Sequence, residues 1–536
     1  MNASTIPQRA QEADMVEAVV RQPGRSQTSV EFVRSFLHRA DQLRGEPPAL
    51  ATRTSTGWDE LSYRQLDARS QQVRTWLSTQ GATGGDRVAL LGESGGGWVS
   101  GFFGILRAGA VVVPLDPSLT TTELDSLQAR ATWRAVVVSQ RQLPTVDAVL
   151  SSLSETIPVL IIEDIAVLGA PAGSDVARPM HELALLVWTA GTTGRPKGVC
   201  LTFANLDFVV TQSAAEQQAA ADDRWLSVLA LNHMLELSCG LLACLRSGAT
   251  MSFARSQMPH EIVRAMAERG VTRMMAVPLL LRLLQPALAK TPEAAAGLHA
   301  LYSGGAPASR ELLDSYTALN IPVYQGYGLT ELAPSVAMNS PQRNRPGSVG
   351  RPLPGTDVEI ADGEILVRSP GLMAGYWADP ESTAHGVDTD GWFRTGDLGR
   401  LDEDGYLYVT GRRKNLVVLE SGKNVSAEEV EAALAASDMF AEVCVVAVPV
   451  SPPTDGSAEA VCAVVVPTAE VRTRLAQPDQ LSEAVEAEVR RCAQVLSGYK
   501  RPTMVEIVTE PLPKTVKLSL RRADIVSLVR ERRGTR

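Results

Sequence analysis

Glycines and small hydroxylated residues surround a lysine in the segment VWTAGTTGRPKGV, residues 187–199. An apolar run, LALLVW, leads into this segment, so the pattern predicts a strand followed by a loop with many free backbone N–H groups. Such a loop, with a lysine nearby, is suited to binding phosphate. It is not the P-loop pattern G-x-x-x-x-G-K-[ST], because Gly198 follows Lys197 where that pattern has Ser or Thr. A solvated turn is an equally good interpretation of the segment alone.

Two later segments combine glycine with groups able to contact a nucleotide. YSGGAP ends a predicted strand with two glycines, whose missing Cβ atoms would let a flat ring approach the backbone closely. In YQGYGLTE, Tyr327 could stack on a base, Thr330 could reach a phosphate, and Glu331 offers the oxygen ligand that magnesium prefers. The structural alternatives are a tight strand-to-helix turn for the first segment and a core strand with a solvated glutamate for the second.

The second half of the chain supplies a carboxylate and a basic cluster. GWFRTGDLG places Asp397 in a glycine-flanked turn, where it could accept hydrogen bonds from both hydroxyls of a ribose. The alternative is an aspartate that bonds its own backbone. In GRRKN, Arg412 suits a ribose or phosphate contact, whereas Arg413 is interpreted as solvated.

Two lysines lie near the C-terminus, in the segment LPKTVKLSLRR. They are Lys514 and Lys517, and by themselves they are typical of a solvated basic tail.

Taken in order, AGTTGRPKGV, YSGGAP, YQGYGLTE, GWFRTGDLG, GRRKN, GKNVSAEEVE and a late lysine resemble the adenylate-forming (AMP-binding) superfamily, over residues 31–525. That family includes acyl-CoA synthetases, acyl-carrier-protein ligases and amino-acid adenylation domains. The resemblance implies an acid–thiol ligase that uses ATP and magnesium. A carboxylate would attack the α-phosphate to give an acyl-adenylate and pyrophosphate, and the phosphopantetheine thiol of CoA or of a separate carrier protein would then take the acyl group.

The resemblance also implies a role for each matching residue. Lys517, Glu331 and Thr330 would be catalytic, with Glu331 holding the metal, and Lys414 would be the hinge about which a small domain swings. Contacts to ATP or AMP would come from Thr189, Gly191, Thr192, Thr193, Gly194, Lys197, Gly304, Gly305, Ala306, Pro307, Tyr327, Gly328, Asp397 and Arg412. The acid would be bound by His233, Met234, Ser303 and Gly326.

The sequence departs from the family pattern at two places. Ala190 stands where the family usually has serine, which predicts retuned phosphate binding. LPKTVKLSLRR is two residues shorter than usual and lacks the glycine before the lysine, so Lys514 competes with Lys517 for the catalytic role.

The identity of the acid depends on the stretch LALNHMLELSCGLLACL, which matches the substrate side of the family. His233 occupies a gate position, and the apolar Met234 and Leu235 favour a fatty or aryl acid. Pairing of Glu236 with an ammonium group would instead indicate an amino-acid or unusual-acid adenylating enzyme of a natural-product pathway. A nucleotide-binding pseudo-enzyme is a third interpretation, supported by the shortened lysine segment.

Alternating strand-like and helix-like segments must position these residues. GDRVALLG predicts a buried strand and WVSGFFGILRAGA a helix, and this alternation continues to YSGGA, which predicts an α/β fold with layered, mostly parallel sheets. After residue 346, short strands broken by glycine and proline predict a small barrel or antiparallel sheet. GYLYVTGRRKNLVVLE predicts a hairpin-like pair of strands around Gly411.

The domain prediction follows from these changes in the pattern of predicted strands and helices. Residues 1–30 are predicted as a loose lead-in, 31–411 as a large adenylation domain, and 412–536 as a small, mobile α+β domain that carries the catalytic lysine. Ser426 and Glu429 form an S-x-x-E pattern that predicts the start of a helix in the small domain.

Composition limits the remaining possibilities. The chain has 536 residues and a formal net charge of -9, which disfavours nucleic acid as a partner. Six cysteines without a C-x-x-C pair are typical of a reduced, cytoplasmic protein rather than a disulfide scaffold. No apolar run is long enough for a membrane span, and oligomeric state cannot be read from the sequence.

Overall fold

The computed structural model describes residues 28–37, 47–189, 196–419, 424–449, 459–475, 477–514 and 520–534. Its strands are β1 (Pro48–Arg53), β2 (Trp58–Ser62), β3 (Arg87–Leu91), β4 (Val111–Leu115), β5 (Ala135–Val138), β6 (Val159–Ile161), β7 (Leu183–Thr189), β8 (Lys197–Thr202), β9 (Arg224–Ser227), β10 (Thr250–Phe253), β11 (Arg273–Ala276), β12 (Ala300–Ser303), β13 (Val323–Gly328), β14 (Ser335–Met338), β15 (Arg351–Pro352), β16 (Asp357–Ala361), β17 (Glu364–Arg368), β18 (Gly375–Tyr376), β19 (Phe393–Leu401), β20 (Leu407–Arg412), β21 (Leu416–Val418), β22 (Asn424–Ser426), β23 (Phe440–Pro449), β24 (Glu459–Pro467) and β25 (Met504–Ile507).

The α-helices alternate with these strands over most of the chain. They are α1 (Ser29–Leu37), α2 (Tyr63–Thr79), α3 (Gly96–Arg107), α4 (Thr121–Ala131), α5 (Leu143–Leu150), α6 (Phe203–Gln217), α7 (Ala243–Ser247), α8 (Pro259–Arg269), α9 (Pro278–Lys290), α10 (Arg310–Ala318), α11 (Pro380–Gly386), α12 (Ala427–Leu434), α13 (Ala469–Arg474), α14 (Pro478–Cys492) and α15 (Arg522–Gly534). A π-helix spans Leu235–Leu242, and short 3₁₀ turns include Thr330–Leu332 and Arg413–Asn415.

A nine-stranded sheet has the order β15-β14-β13-β12-β11-β9-β10-β1-β2. The strands from β13 to β1 in this order pair in parallel, whereas β2, β14 and β15 join antiparallel. Apolar side chains on one face pack against α8, α9 and α10, with Ile262, Leu284 and Tyr316 completely buried. The carboxyl ends of β9, β11, β12 and β13 therefore meet at one edge, which is where ligands bind in open α/β sheets.

A seven-stranded sheet has the order β18-β8-β7-β4-β3-β5-β6. Its middle strands are continuous apolar runs such as VVVPL in β4, as expected for parallel strands covered on both faces. The antiparallel pair β7–β8 brings Thr189 opposite Lys197, so these two residues mark the base of the predicted phosphate loop. The predicted α/β fold class, with a large N-terminal part of mostly parallel sheets and a small C-terminal part, is confirmed.

Side-chain caps fix the starts of several helices. Ser62, Thr120 and Thr202 each form a complete capping box at the start of α2, α4 and α6. Ser426 caps α12 as predicted, and its hydroxyl accepts a hydrogen bond from the Glu429 N–H at 3.4 Å.

The prediction of a hairpin around Gly411 is wrong. Strands β20 and β21 flank this region, but β20 pairs with β19 and β21 pairs with β22, and the 3₁₀ turn Arg413–Asn415 separates them. A Cβ atom on Gly411 would lie 2.3 Å from the Ser426 hydroxyl oxygen. This glycine therefore permits a close approach of two segments rather than a turn.

The remaining sheets are smaller. One has four strands in the order β16-β17-β19-β20, and another has three in the order β23-β24-β25, covered by α12, α14 and α15. By internal contacts the chain forms two compact units, residues 1–358 with 367–393 and residues 359–366 with 394–536. The boundary near residue 411 stays a prediction, as does the loose character of residues 1–30, of which Ser29 already begins α1.

Two absences concern the described residues only. Their helices include none that is long and apolar enough to cross a membrane. All six cysteines of the chain are within the described part; none forms a disulfide, and each is buried. Burial raises the pKa of several of these thiols, to about 11 for Cys200 and Cys239 and about 12 for Cys444.

Candidate active site

The glycine pair after β12 lies at the carboxyl edge of the nine-stranded sheet, as the sequence predicts. Ser303 is the last residue of the strand and is buried, whereas Gly305, Ala306 and Pro307 are exposed. Gly305 has a φ of +80°, a conformation that favours glycine. The backbone of this turn is thus accessible at the sheet edge where a flat ring could lie against it.

The neighbouring strand, β13, carries Tyr327 to the same edge and ends at Gly328. A Cβ atom on Gly328 would lie 1.8 Å from the Pro334 carbonyl oxygen, so only glycine fits there. Directly after it, Thr330 and Glu331 form a 3₁₀ turn. The tight return of the chain to β14 therefore fixes where the threonine and the glutamate stand.

Glu331 is connected to the phosphate-loop lysine through a tyrosine that the sequence analysis does not identify. The Tyr376 hydroxyl donates a hydrogen bond to Glu331 Oε1 at 2.8 Å, and Lys197 Nζ lies 4.7 Å from the centre of the Tyr376 ring. Burial raises the pKa of Tyr376, and the neighbouring Glu331 carboxylate raises it further, so the hydroxyl remains a donor. These three side chains form one cluster, hereafter the Lys197–Tyr376–Glu331 cluster.

Strand pairing holds Tyr376 in this position. In the antiparallel pair β18–β8, Tyr376 lies opposite Val199, two residues after Lys197. The next residue, Trp377, donates its backbone N–H to the Gly198 carbonyl at 2.7 Å, and a Cβ atom on Gly198 would meet Leu186 and Trp377 at 2.9 and 3.0 Å. In the sequence MAGYW, two aromatic residues follow a glycine. The stacking argument made for Tyr327 applies to this pair as well, and it is the sequence signal that points to Tyr376.

The predicted gate histidine lies beside an aspartate. Burial alone would raise the pKa of Asp116, but hydrogen bonds from Ser118 and the nearby His233 outweigh it and hold that pKa below its ordinary value. Asn232 also donates to Asp116 Oδ2, at 3.4 Å. His233 is half-buried and Met234 is buried, and both directly precede the π-helix.

The π-helix contains a completely buried carboxyl group, that of Glu236. Burial raises its pKa from 4.5 to about 8, and only the hydroxyl of Ser227 acts in the opposite direction. The preceding residue, Leu235, lies close to the glycine turn, because a Cβ atom on Gly304 would be 3.4 Å from its side chain. The sequence left open whether Glu236 pairs with an ammonium group or caps a helix; the π-helix begins one residue before it.

In the second compact unit, Asp397 and Arg412 come together as predicted. They are partners in the β19–β20 register, and Arg412 Nε lies 2.9 Å from Asp397 Oδ1. The Asp397 N–H donates to Thr395 Oγ1 at 3.0 Å, and Thr395 in turn donates to the Ile365 carbonyl at 2.7 Å. The turn is therefore tied to β17 through its own hydroxyl.

A second carboxylate, Glu364, anchors the same turn and was missed in the sequence. It is buried, and its Oε1 accepts the Gly396 N–H at 3.0 Å. Its Oε2 accepts from Arg413 at 2.8 Å and lies 3.4 Å from Arg394. Arg413 is thus an ion-pair partner rather than only a solvated residue, although its side chain remains 58% exposed. No sequence pattern links position 364 to this turn, which lies about thirty residues later.

The two candidate lysines differ in what the structure describes. Lys514 Nζ forms an ion pair with Glu442 at 2.6 Å, and Lys514 pairs with Leu520 in an isolated β-bridge. Lys517 lies outside the described residues, as do Gly191, Thr192, Thr193 and Gly194 of the phosphate loop. Lys414 stands in the turn Arg413–Asn415, and nothing is described of its side chain.

The residues around Glu331 are compatible with magnesium. Among the described residues, no group of three or more His, Cys, Asp or Glu side chains could hold a metal ion. Magnesium, however, is commonly bound by one or two carboxylates together with substrate phosphates. Glu331 is a half-buried carboxylate at a strand end with only its Oε1 engaged by Tyr376, which fits that mode.

Comparisons with known proteins cover nearly the whole chain. The sequence profile of the AMP-binding enzyme family matches residues 37–377, and that of the AMP-binding enzyme C-terminal domain matches residues 429–517. The chain is 32% identical to a feruloyl-CoA synthase of Amycolatopsis sp, over 88% of this chain and 94% of that protein. It is 28% identical to the long-chain-fatty-acid–CoA ligase FadD13 of Mycobacterium tuberculosis, over 85% of this chain and 90% of that protein.

A solved structure has the same fold. The structure of ATP-bound MatB from Rhodopseudomonas palustris superimposes with a TM-score of 0.81 at 28% sequence identity. The match covers 92% of this chain and 98% of that chain.

Proposed function

We propose a substrate class and a set of residue roles for this chain, which belongs to the AMP-binding enzyme family. The chain is an acid–thiol ligase that uses ATP and CoA. A carboxylate oxygen forms a bond to the α-phosphorus of ATP while the bond from that phosphorus to pyrophosphate breaks. In the acyl-adenylate, the thiol sulfur then bonds to the acyl carbon, AMP leaves, and the thiol proton is released. The proposed acid is a fatty or aryl acid.

The Lys197–Tyr376–Glu331 cluster carries the proposal for the site. It joins the last part of the phosphate loop to the proposed metal ligand through a single side chain, with contacts of 4.7 and 2.8 Å. Two anions, a carboxylate and a triphosphate, must meet in the first step, so positive charge has to be held beside them. Lys197 supplies that charge, Thr330 is the hydroxyl for phosphate, and the loop residues Thr189, Gly191, Thr192, Thr193 and Gly194 supply further donors.

Magnesium is assigned to Glu331. When bound there with the phosphate oxygens, it would neutralise phosphate charge and polarise the phosphoryl oxygens. Tyr376 holds the Glu331 carboxylate by its hydroxyl, which fixes the orientation of the second carboxylate oxygen.

The adenosine contacts are assigned by the same argument. Gly305, Ala306 and Pro307 offer exposed backbone to the adenine. The buried Gly304 precedes them, and Tyr327 lies at the same sheet edge. Asp397 is the proposed acceptor for the ribose hydroxyls, with Arg412 as its partner. Lys517 is the proposed catalytic lysine and Lys414 the proposed hinge of a domain that begins near residue 412.

The acid class follows from the residues before and within the π-helix. Met234 is buried and apolar, and Leu235 lies against the position of Gly304. An apolar pocket binds a hydrocarbon or aryl tail by burying its surface, at about 25 cal/mol per Å². The relatives include a feruloyl-CoA synthase and a long-chain-fatty-acid–CoA ligase, which supports this class.

The test is acid-dependent pyrophosphate release from magnesium-ATP, followed by thioester formation with CoA or with a carrier protein. Lys517→Ala is expected to lower the rate by about 10²–10³-fold, as for removal of one pre-organised charge-stabilising donor. Lys514→Ala is the matched comparison. Since Lys514 is engaged with Glu442, its removal is expected to lower stability while leaving the rate within tenfold.

Three outcomes would contradict these assignments. Loss of activity in Lys514→Ala but not in Lys517→Ala would move the catalytic role to Lys514. Binding of ATP without pyrophosphate release for any fatty or aryl acid would exclude the proposed substrate class. Thioester formation only with a carrier protein would replace CoA as the acceptor.

A further inference from the structure

The carboxyl group of Glu236 is buried and has no hydrogen-bond partner among the described residues. Its relative exposure is 0%, and neither oxygen has a hydrogen-bond partner among the described residues. The Ser227 hydroxyl is close enough to oppose the rise in pKa, yet its described hydrogen bond goes to the Leu229 carbonyl at 3.4 Å. A buried polar group without a partner costs about 1–3 kcal/mol of stability. Such a cost is expected where a ligand completes the hydrogen bonds.

Two other buried carboxylates in the described part of the chain have cationic partners, which sets Glu236 apart. Asp223 pairs with Arg273 at 2.6 Å on the same sheet, and Asp397 pairs with Arg412. Glu236 has no such cation among the described residues. Its unsatisfied state is therefore a property of this position and not of buried acids in the chain generally.

The surroundings of Glu236 place it at the ligand-binding edge of the nine-stranded sheet. Ser227, at the end of β9, is its neighbour, and Met275, near the end of β11, lies beside Gly240 of the same π-helix. A Cβ atom on Gly240 would lie 3.3 Å from the Glu236 carboxyl carbon and 3.5 Å from Met275. A larger residue at this position would therefore crowd the carboxyl group.

The helix itself is an unusual one. Residues Leu235–Leu242 form a π-helix, a conformation that is rare and concentrates at functional sites. Leu235, its first residue, touches the position of Gly304, so the helix borders the proposed adenylate turn. Ser303, at the end of β12, has a buried hydroxyl that also lacks a partner among the described residues. Buried polar groups without partners thus occur on both elements that border this part of the site.

We infer that Glu236 is a specificity-determining residue that binds a hydroxyl group on the tail of the acid substrate. This inference rests on the proposed function, because it names a feature of the acid that the enzyme activates. The bound acid would present its carboxylate to ATP and its hydroxyl to Glu236, whose two oxygens would then be satisfied.

A hydroxyl fits this carboxyl group better than an ammonium group does. Burial keeps the carboxyl protonated at neutral pH, and a neutral carboxyl both donates and accepts, as a hydroxyl does. An ammonium partner would need an ionised carboxylate, and removing both charges from water opposes that pairing. Burial raises the pKa of the Cys239 and Cys244 thiols, the Glu236 carboxyl group raises it further, and both thiols therefore stay neutral.

The experiment compares matched acids that differ only in the polar group. One set is octanoate, octanoates hydroxylated at successive carbons, and ω-aminooctanoate; the other is cinnamate, the hydroxycinnamates and an aminomethylcinnamate. Pyrophosphate release gives kcat/KM for each acid with the wild type and with Glu236→Leu, Glu236→Gln and Glu506→Gln. Glu506→Gln is the matched control, because Glu506 is a buried glutamate of the C-terminal sheet.

The wild type is expected to prefer the best hydroxylated acid over its unsubstituted partner by about 30-fold or more, since loss of the ligand hydroxyl leaves the site unsatisfied. Glu236→Leu is expected to abolish or invert this preference. Glu236→Gln is expected to keep part of it, because an amide also donates and accepts. Glu506→Gln should leave the preference unchanged. Thermal unfolding separates recognition from folding, since Glu236→Leu should be at least as stable as the wild type.

Three results would overturn the inference. They are equal use of hydroxylated and unsubstituted acids by the wild type, an unchanged preference in Glu236→Leu, and preference for an amino acid of either set. If no acid of either set releases pyrophosphate, the proposed function fails as well. Activation of unsubstituted acids without a hydroxyl preference would overturn this inference alone, and the proposed function would still hold.

Discussion

Two buried carboxyl regions of this chain solve the same physical problem in opposite ways. In the turn around Asp397, Glu364 and Asp397 are both buried. Glu364 accepts hydrogen bonds from Arg413 and from the Gly396 N–H, and Asp397 pairs with Arg412. In the π-helix, Glu236 is equally buried and has no partner among the described residues. In the first region Glu364 holds a loop in one geometry, and in the second region the carboxyl group of Glu236 is left available.

The difference separates positioning from recognition. Glu364, whose two carboxylate oxygens are both engaged, can orient its neighbours but has little left for a ligand. An unsatisfied carboxyl destabilises the free protein and is stabilised when a ligand binds. Removing the carboxyl group of Glu236 should therefore raise the stability of the free protein, whereas breaking the ion pairs of Glu364 or Asp397 should lower it.

The largest expected effect is on the pH dependence of stability. The pKa of Glu236 is about 8 in the folded chain against 4.5 ordinarily, so between these values the folded state holds a proton that the unfolded state releases. Its contribution is thus most favourable below pH 4.5 and is lost as pH rises toward 8. The stability of Glu236→Leu relative to the wild type should increase by about 3 kcal/mol from pH 5 to pH 8, as measured by denaturant unfolding.

Glu506→Gln is the control for that series, because it removes a buried glutamate from the other unit. A difference between Glu236→Leu and the wild type that stays constant with pH would show that Glu236 has an ordinary pKa. The contrast between the two regions would then be lost.

Removing the charge of Asp397 should lower activity more than it lowers stability. Asp397→Asn weakens the pairing with the half-exposed Arg412 and removes the proposed charged acceptor of the ribose hydroxyls. Hydrogen bonds to a charged group contribute about 1.5–3 kcal/mol, so kcat/KM for ATP is expected to fall by about 100-fold. The measurement is pyrophosphate release at varied ATP. A loss smaller than threefold would mean that Asp397 bonds only the protein.

Glu364 should act through the turn and not on the chemistry. Glu364→Gln weakens the bond to Arg413 and the anchoring of Gly396, and it is expected to raise KM for ATP about tenfold with kcat little changed. Glu359→Gln, on the exposed surface of the same sheet, is the matched control. An equal fall in kcat with unchanged KM would argue against a positioning role.

The smallest expected effect concerns the tyrosine of the Lys197–Tyr376–Glu331 cluster. Tyr376→Phe keeps the ring beneath Lys197 and removes only the hydrogen bond to Glu331, which is worth about 1 kcal/mol. The magnesium concentration for half-maximal pyrophosphate release should rise about 3–10-fold. Tyr408→Phe, which removes a tyrosine bond to Asp402, is the control and should not move this value.

The sequence predicts those parts of the fold and site that local patterns determine. Alternating apolar segments predict the parallel sheets. Gly328 shows the physical reason for a glycine in the motif, because any Cβ there would collide with Pro334. Asp397 and Arg412 are both predicted, and strand register explains their meeting. Their proposed contacts with substrate stay predictions.

What local patterns do not encode is pairing across the chain. Glu364 reaches Gly396, and Tyr376 reaches Glu331, only through sheet formation. The hairpin prediction around Gly411 fails for the same reason, because β20 and β21 choose partners elsewhere. The unsatisfied state of Glu236 depends on everything packed around it, so only the structure shows it.

The buried cysteines have a consequence for an enzyme whose product is a thioester. A thioester is itself open to attack by thiolates, and reactivity requires a thiolate that is accessible. All six cysteines are buried, and burial raises the pKa of Cys200, Cys239 and Cys444 to about 11, 11 and 12. The folded protein should therefore neither acylate itself nor compete with CoA for the activated acid. Disappearance of the CoA thiol can accordingly be followed with a thiol-reactive dye in the presence of the intact enzyme, with little background from the protein.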